Sequence, residues 1–169
     1  PRINDIIITT SYKSGTTWMQ ELVRQLVFIG KAAPEKEQVD LNSISHWLDM
    51  RFEPVDGAIA RLEAQQHRRF LKTHLPLDGL PFYLQVKYVV VGRDARDVAM
   101  SLWNHHSCYT VEGFEGMKNA PGRIGDPLPP ATDIHDFWQN WITRGWFAWE
   151  SEGYPYWGNM HHTKTWWDY

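Results

Sequence analysis

Lys13-Ser14-Gly15-Thr16-Thr17-Trp18 joins two segments of opposite character. Before it stands the β-branched run Ile6-Ile7-Ile8-Thr9-Thr10, which predicts a buried strand of a parallel sheet. After it, from Thr17 to about Phe28, Trp18, Leu22 and Leu26 recur at helical spacing with Met19, Val23 and Val27 beside them. A strand-to-helix joint aims free backbone N–H groups and the positive end of the helix dipole at one point in space. Gly15 lets the backbone close around an anion, Ser14, Thr16 and Thr17 add hydroxyl donors, and Lys13 adds a full positive charge. Nothing from Ser11 to Trp18 is acidic. These features predict a phosphate or sulfate cradle. It is not a Walker A loop, in which the lysine follows the last glycine; here Lys13 precedes Gly15. A plain capped helix start, with hydroxyls satisfying orphan N–H groups, is the structural alternative.

Two further segments carry the same kind of chemistry. Arg93 follows the run Val89-Val90-Val91-Gly92, at the carboxyl end of a second predicted strand, where open α/β sheets place their ligands. Ser101 lies eight residues later, a little over two helical turns. A guanidinium fork and a hydroxyl suit a phosphate, although an Arg93–carboxylate pair and a packed Ser101 would explain the same residues. Arg96 and Asp97 read as structural ion-pair residues. The third segment, Phe70-Leu71-Lys72-Thr73-His74-Leu75-Pro76, is again a strand end and should open onto the same sheet edge. A lone histidine is most often a hydrogen-bonded structural residue, so His74 gains interest only beside the anion loop.

The elements that must position these groups alternate. Strands are expected at 6–10, 69–73 and 87–92, the last also buried. Helices are expected at 17–28, 43–49, 58–68, 95–106 with Asp94 as N-cap, 133–149 and 156–167. Residues 31–42 read as a loop, and 111–132, rich in Gly and Pro, as a long irregular segment. Alternation of this kind implies a layered α/β sheet with right-handed crossovers.

The 169 residues fit one domain. Hydrophobic residues at 43% and charged ones at 22% argue against a disordered chain. A net charge of −3 disfavours a general nucleic-acid binder while leaving room for a local anion pocket. No apolar run approaches the ~18 residues of a membrane helix. The single cysteine, Cys108, excludes an internal disulfide and fits a reducing compartment, so a cytoplasmic location is expected. His105-His106 and His161-His162 are adjacent pairs that point apart on a helix and chelate poorly, so no metal is expected. The 10 Trp, 7 Tyr and 7 Phe imply a thick core or a pocket for flat, apolar ligands. Pro1 at the start and Trp166-Trp167 just before the end read as a cut fragment.

Lys-Ser-Gly-Thr-Thr-Trp resembles the signature loop of the cytosolic-type sulfotransferase family. The Arg93…Ser101 spacing and Lys72-Thr73-His74-Leu75-Pro76 resemble two more of its motifs. The resemblance implies a P-loop-like parallel β-sheet with helices on both faces, in three layers. It implies transfer of a sulfuryl group from 3′-phosphoadenosine 5′-phosphosulfate (PAPS), leaving the bisphosphate PAP, to the hydroxyl or amine of a small acceptor, without a metal. Lys13, Ser14, Gly15, Thr16 and Thr17 would hold the 5′-phosphosulfate, Trp18 would lie against the adenine, and Arg93 and Ser101 would hold the 3′-phosphate. His74 would be the general base, with Lys13 and Lys72 stabilising the transferring group. Acceptor-lining candidates are Trp47, Phe52, Phe82, Tyr109, Phe114, Trp138 and Trp157, whose number favours an aromatic or hydrophobic acceptor. Residues 1–169 would then form a single sulfotransferase domain, incomplete at its C-terminus. It would lack the family's later adenine, lid and dimer motifs, so that the fragment binds PAPS weakly and turns over little. Neither nucleic acid nor membrane is expected as a partner, and a homodimer is expected only of the longer parent. A P-loop kinase or ATPase and a non-catalytic anion-binding module are the competing classes.

Overall fold

The computed structural model describes residues 1–30, 40–50, 54–120, 125–147, 149–156 and 158–169. Three parallel strands, β1 (Ile6–Thr10), β2 (Phe70–Thr73) and β3 (Lys87–Val91), lie in the order β2-β1-β3. Seven helices accompany them among the described residues: α1 (Thr16–Val27), α2 (Leu41–Ile44), α3 (Val55–Ala64), α4 (Ala95–Ser107), α5 (Val111–Lys118), α6 (Ile134–Thr143) and α7 (Asn159–Trp167). Central β1 is buried along its whole length, as a strand covered on both faces must be. On one face Ile6, Ile8 and Phe70 pack with Val23, Met19 and Val27 of α1. On the other, α7 lays His162 against Thr9 and Trp166 against Tyr88. The layers are therefore helix, sheet, helix. A second core joins α4 to α6 through Val98, Leu102, Phe137 and Trp141.

Several expectations change. Of the two apolar stripes on α1, Met19-Val23-Val27 faces the sheet, whereas Trp18, Leu22 and Leu26 are exposed. Gln20 sets that rotation, because its amide is buried and donates to the hydroxyl and carbonyl of Ser45. The helix expected over 43–49 is only α2. Beyond Ser45 the chain straightens and runs beside β2, with Leu48 N donating to Lys72 O and Lys72 N to His46 O, each at 2.9 Å. β3 is not a buried strand: it lies at a sheet edge, and Val90 is 45% exposed. α5 occupies part of the expected irregular segment, capped by the Thr110 hydroxyl, which accepts from Gly113 N. α6 stops at Thr143 rather than reaching Trp149, because Arg144 turns extended and Gly145 sits against Glu150, where a Cβ would fall 2.3 Å from the Glu150 Cβ. α3 covers 55–64 rather than 58–68, and α7 starts at Asn159 rather than Tyr156. Phe52 and Trp157 lie outside the described residues.

Candidate active site

Parallel pairing brings the carboxyl ends of all three strands to one edge, so the segments after Thr10, Thr73 and Val91 emerge together. After β1 the backbone turns sharply, with Lys13 at φ 60° and Gly15 at φ 103°. Gly15 is the N-cap of α1, and among the described residues no side chain caps that helix. The capped-start alternative therefore fails: the first-turn N–H groups keep their donors for another partner. Ser14 and Thr16 turn inward, Ser14 Oγ lying 2.7 Å from Ser11 Oγ and Thr16 Oγ1 2.6 Å from Thr10 Oγ1. Their hydroxyls brace the loop, while Thr17 and Trp18 stay exposed. Trp18, at 69% exposure, is no core residue.

Arg93 reaches across from the end of β3. Its Nη1 donates to the Lys13 carbonyl at 3.0 Å, and its Nε stands 3.9 Å from Asp97. The guanidinium thus joins the loop edge directly. Arg96 pairs with Asp94 at 2.8 Å, so both expected ion-pair residues are in pairs. Ser101 lies two turns along α4, half-buried. His105 on the same helix is lowered in pKa by partial burial and by the charge of Lys13.

His74 closes the site from the end of β2. It is buried, and its Nδ1 lies 2.8 Å from the Thr10 carbonyl oxygen. A carbonyl only accepts, so Nδ1 carries the hydrogen and Nε2 keeps its lone pair. Asp49 holds the backbone N–H of His74 at 3.2 Å. Tyr12 stacks on the imidazole, ring centroids 4.2 Å apart, and Trp47 meets its edge at 4.9 Å. Burial lowers the His74 pKa below the ordinary imidazole value against the pull of the Thr10 carbonyl and Asp49, and the Lys72 charge lowers it further. The ring is therefore neutral at pH 7. Burial likewise lowers Lys72, whose ammonium sits over the Trp47 ring at 4.9 Å and 3.4 Å from Asn42 Oδ1. A cavity of about 550 Å³ opens there, lined by Asp40, Asn42, Ser43, His46, Trp47, Met50, Arg61 and Lys72.

A family model for the sulfotransferase domain matches residues 3–169. The chain belongs to the sulfotransferase family. A glycolipid sulfotransferase of Mycobacterium tuberculosis is 50% identical over 101 residues, which cover 60% of this chain and 30% of that protein. Human sulfotransferase 1E1 is 29% identical over 170 residues, covering 99% of this chain and 49% of that one. This chain thus spans no more than about half the length of these relatives. Among solved structures, a retinol dehydratase complexed with androsterone and the inactive cofactor PAP superposes with a TM-score of 0.65 at 22% identity, over 99% of this chain and 51% of that one. That likeness shows the sulfotransferase fold, a parallel α/β sheet between helices.

Within this sulfotransferase domain, the residues read from the sequence meet by direct bonds: Arg93 to Lys13, and His74 to Thr10 beside Thr16. Of the acceptor candidates, Trp47 borders His74, and Tyr109 hydrogen-bonds Tyr156, which packs on Tyr12. Phe82 instead stacks on Tyr88, Phe114 lies on α5 under Lys118, and Trp138 lies on α6. Sequence reasoning missed Tyr12, Asp49 and Tyr156. Tyr12 stands immediately before the signature loop, so its position was a usable signal; the other two carry none.

Gly15 offers a direct test of the loop. Its φ of 103° strains any residue with a Cβ, and a Cβ there meets nothing within 4 Å among the described residues, so it would enter the open cradle. Gly15→Val should cost about 1–2 kcal/mol of stability through backbone strain. It should also weaken PAP binding by more than about tenfold, since valine would displace the anion from the N–H groups. Thermal melting and a Trp-fluorescence titration read the two effects separately.

Proposed function

We propose that this domain, as a portion of a longer sulfotransferase, moves a sulfuryl group from PAPS to an acceptor hydroxyl or amine. PAPS supplies the activated sulfuryl group on a phosphate leaving group. The residues present fit it: a helix N-terminus without a side-chain cap among the described residues, open space at Gly15, and the Arg93 guanidinium bonded to the backbone of Lys13 at its rim. Lys13 and the α1 N–H groups bind the sulfated end, with Arg93 and Ser101 toward the 3′-phosphate and Trp18 exposed for the base. His74 Nε2 accepts the acceptor's proton. Lys13 and Lys72 meet charge that grows in a loose transition state. Side-chain cations serve this group, so the reading includes no metal. The single observation that carries it is the buried His74 held by the Thr10 carbonyl with Nε2 free to take a proton, at the same edge as the Lys13 loop. A Mg-ATP-dependent kinase is disfavoured, because β3 is followed by Gly92-Arg93 rather than by an acidic metal ligand.

Tyr12 and Trp47 against His74, with Tyr156 packed on Tyr12 and Tyr109 bonded to Tyr156, support a flat or hydrophobic acceptor. A glycolipid acceptor is favoured by a different observation: Asp40, Asn42 and Arg61 give the adjoining cavity a polar rim suited to sugar hydroxyls, and a relative 50% identical over its matched residues is a glycolipid sulfotransferase. An exposed, unpaired Cys108 fits the reducing cytoplasm. The test is an acceptor screen with ³⁵S-labelled PAPS, with phenols and glycolipids as its two arms. It is accompanied by fluorescence titrations with PAP and with Mg-ATP. Label transfer and tighter binding of PAP are expected. Tighter binding of Mg-ATP, with no label transferred to any acceptor, would overturn the reading.

A further inference from the structure

The chemistry above uses nothing from α7, yet two polar side chains of that helix are buried. Asn159 is 6% exposed and His162 is 2% exposed. They stand three residues apart and so share one helix face. Asn159 Nδ2 donates to Ser11 Oγ, which lies 2.7 Å from Ser14 Oγ. His162 Nε2 lies 2.9 Å from Thr9 Oγ1, and the same hydroxyl lies 3.2 Å from the Leu75 carbonyl. The carbonyl only accepts, so Thr9 donates to Leu75 and accepts from His162, whose hydrogen is therefore on Nε2. Thr165 adds a third tie, its hydroxyl accepting from Leu77 N at 3.1 Å. One face of α7 thus grips both the cofactor loop, through Ser11 and Ser14, and the chain just beyond His74, through Thr9 and Leu75.

We propose that Asn159 and His162 are positioning residues: Asn159 fixes the anion loop and His162 fixes the general base, so that α7 sets the distance between donor and acceptor. This rests on the reading of the loop as the PAPS cradle and of His74 as the base. Neither residue touches the reacting atoms. A loop held from behind by Asn159 keeps its N–H groups aimed before the nucleotide arrives, and such preorganisation appears as binding affinity. A base held through Thr9 and Leu75 acts only on the chemical step, where small displacements are costly.

The two roles separate in kinetics, measured on the full-length protein. Asn159→Ala should raise the Kd for PAP about tenfold, the loss of one buried hydrogen bond to the loop, with kcat at saturating PAPS within about twofold of wild type. Asn159→Asp keeps the shape, loses the donor and places a charge behind the cradle. It should weaken PAP at least as much, and it decides the matter if the alanine variant does not fold. His162→Leu should lower kcat about tenfold or more with PAP affinity unchanged, and His162→Gln, which retains an N–H at similar reach, should recover most of that loss. A helix with only a structural role would instead move Kd, kcat and the melting temperature together. That result, or unaltered PAP binding by both Asn159 variants, overturns the proposal while leaving the cradle reading intact. Failure of the wild-type protein to bind PAP overturns both.

Discussion

His74→Ala will reduce label transfer from PAPS by about 10²–10⁴-fold in kcat, the usual worth of general-base help, and leave PAP affinity within about twofold. The separation follows from the geometry. His74 meets the chain beside the Lys13 loop through the Thr10 carbonyl and hydroxyl and the stacked Tyr12 ring, whereas the loop's own braces, Ser11 with Ser14 and Thr10 with Thr16, do not need the imidazole. On the proposed reading, removing the ring therefore deletes the proton acceptor and spares the Lys13 loop. The pH profile gives an independent check. Burial lowers the folded-state pKa of His74 below 6.5. Its neutral form thus survives to lower pH than an ordinary histidine's, and the acid limb of kcat/KM should fall below pH 6.5. In His74→Ala the limb should vanish along with most of the rate. A variant that keeps wild-type kcat, or an acid limb above 6.5, would remove His74 from the chemistry.

The site was more legible in the sequence than the layers that hold it. A signature loop is local: Lys13 to Trp18 are contiguous, so their types and order specify the turn without knowledge of the rest of the chain. His74 and Arg93 each follow a β-branched or apolar run, and parallel strands must present such ends at one edge. Rotation of a helix about its axis is not local. Trp18-Leu22-Leu26 and Met19-Val23-Val27 are both apolar stripes, and the choice between them was made by Ser45, remote in sequence, which satisfies a buried Gln20 amide. The end of α6 is of the same kind. Nothing in Arg144-Gly145-Trp146 reads as a stop stronger than the aromatic periodicity that continues to Trp149, until Glu150 packs against Gly145. The buried polar pairs were the least legible. Asn159 with Ser11 and His162 with Thr9 join residues about 150 positions apart, and single polar residues on a helix carry no period to betray their partners.

The largest stability effect is expected far from the chemistry, at the opposite edge of the sheet. Asp5 precedes β1 and Arg69 precedes β2, and the two are each 4% exposed and joined as a bidentate pair, with Arg69 Nε 2.9 Å from Asp5 Oδ1. Arg69 also reaches Glu63 at 3.1 Å, and Asp5 accepts from Arg2 N at 2.7 Å. Deleting one member strands the other as a buried charge, so Arg69→Met should destabilise the protein by about 3–5 kcal/mol in urea unfolding. Removing both, as Asp5→Leu with Arg69→Met, should recover most of that loss. The sign of the pH effect separates this from simple loss of packing. Burial raises the Asp5 pKa, but the Arg69 and Arg2 hydrogen bonds and the Arg69 charge outweigh it and hold the carboxyl below 3.8. The pair's contribution is therefore full above pH 3.8 and disappears as pH falls through the lowered folded value. In Arg69→Met burial, the Arg2 contact and the N-terminal charge remain but the Arg69 bonds and charge are lost, so Asp5 protonates more readily and the gap between variant and wild type should narrow in acid. An equal gap at pH 7 and in acid would mean that packing, not charge, carries the loss. The consequence reaches the active site through register. The pair fixes Ile6 opposite Phe70, the ladder then places Thr9 opposite Thr73, and one residue further the Thr10 carbonyl meets His74 Nδ1. Slippage at the charged end would carry His74, the proposed base, away from the loop at the other, so Arg69→Met should also lose transfer activity in parallel with its stability.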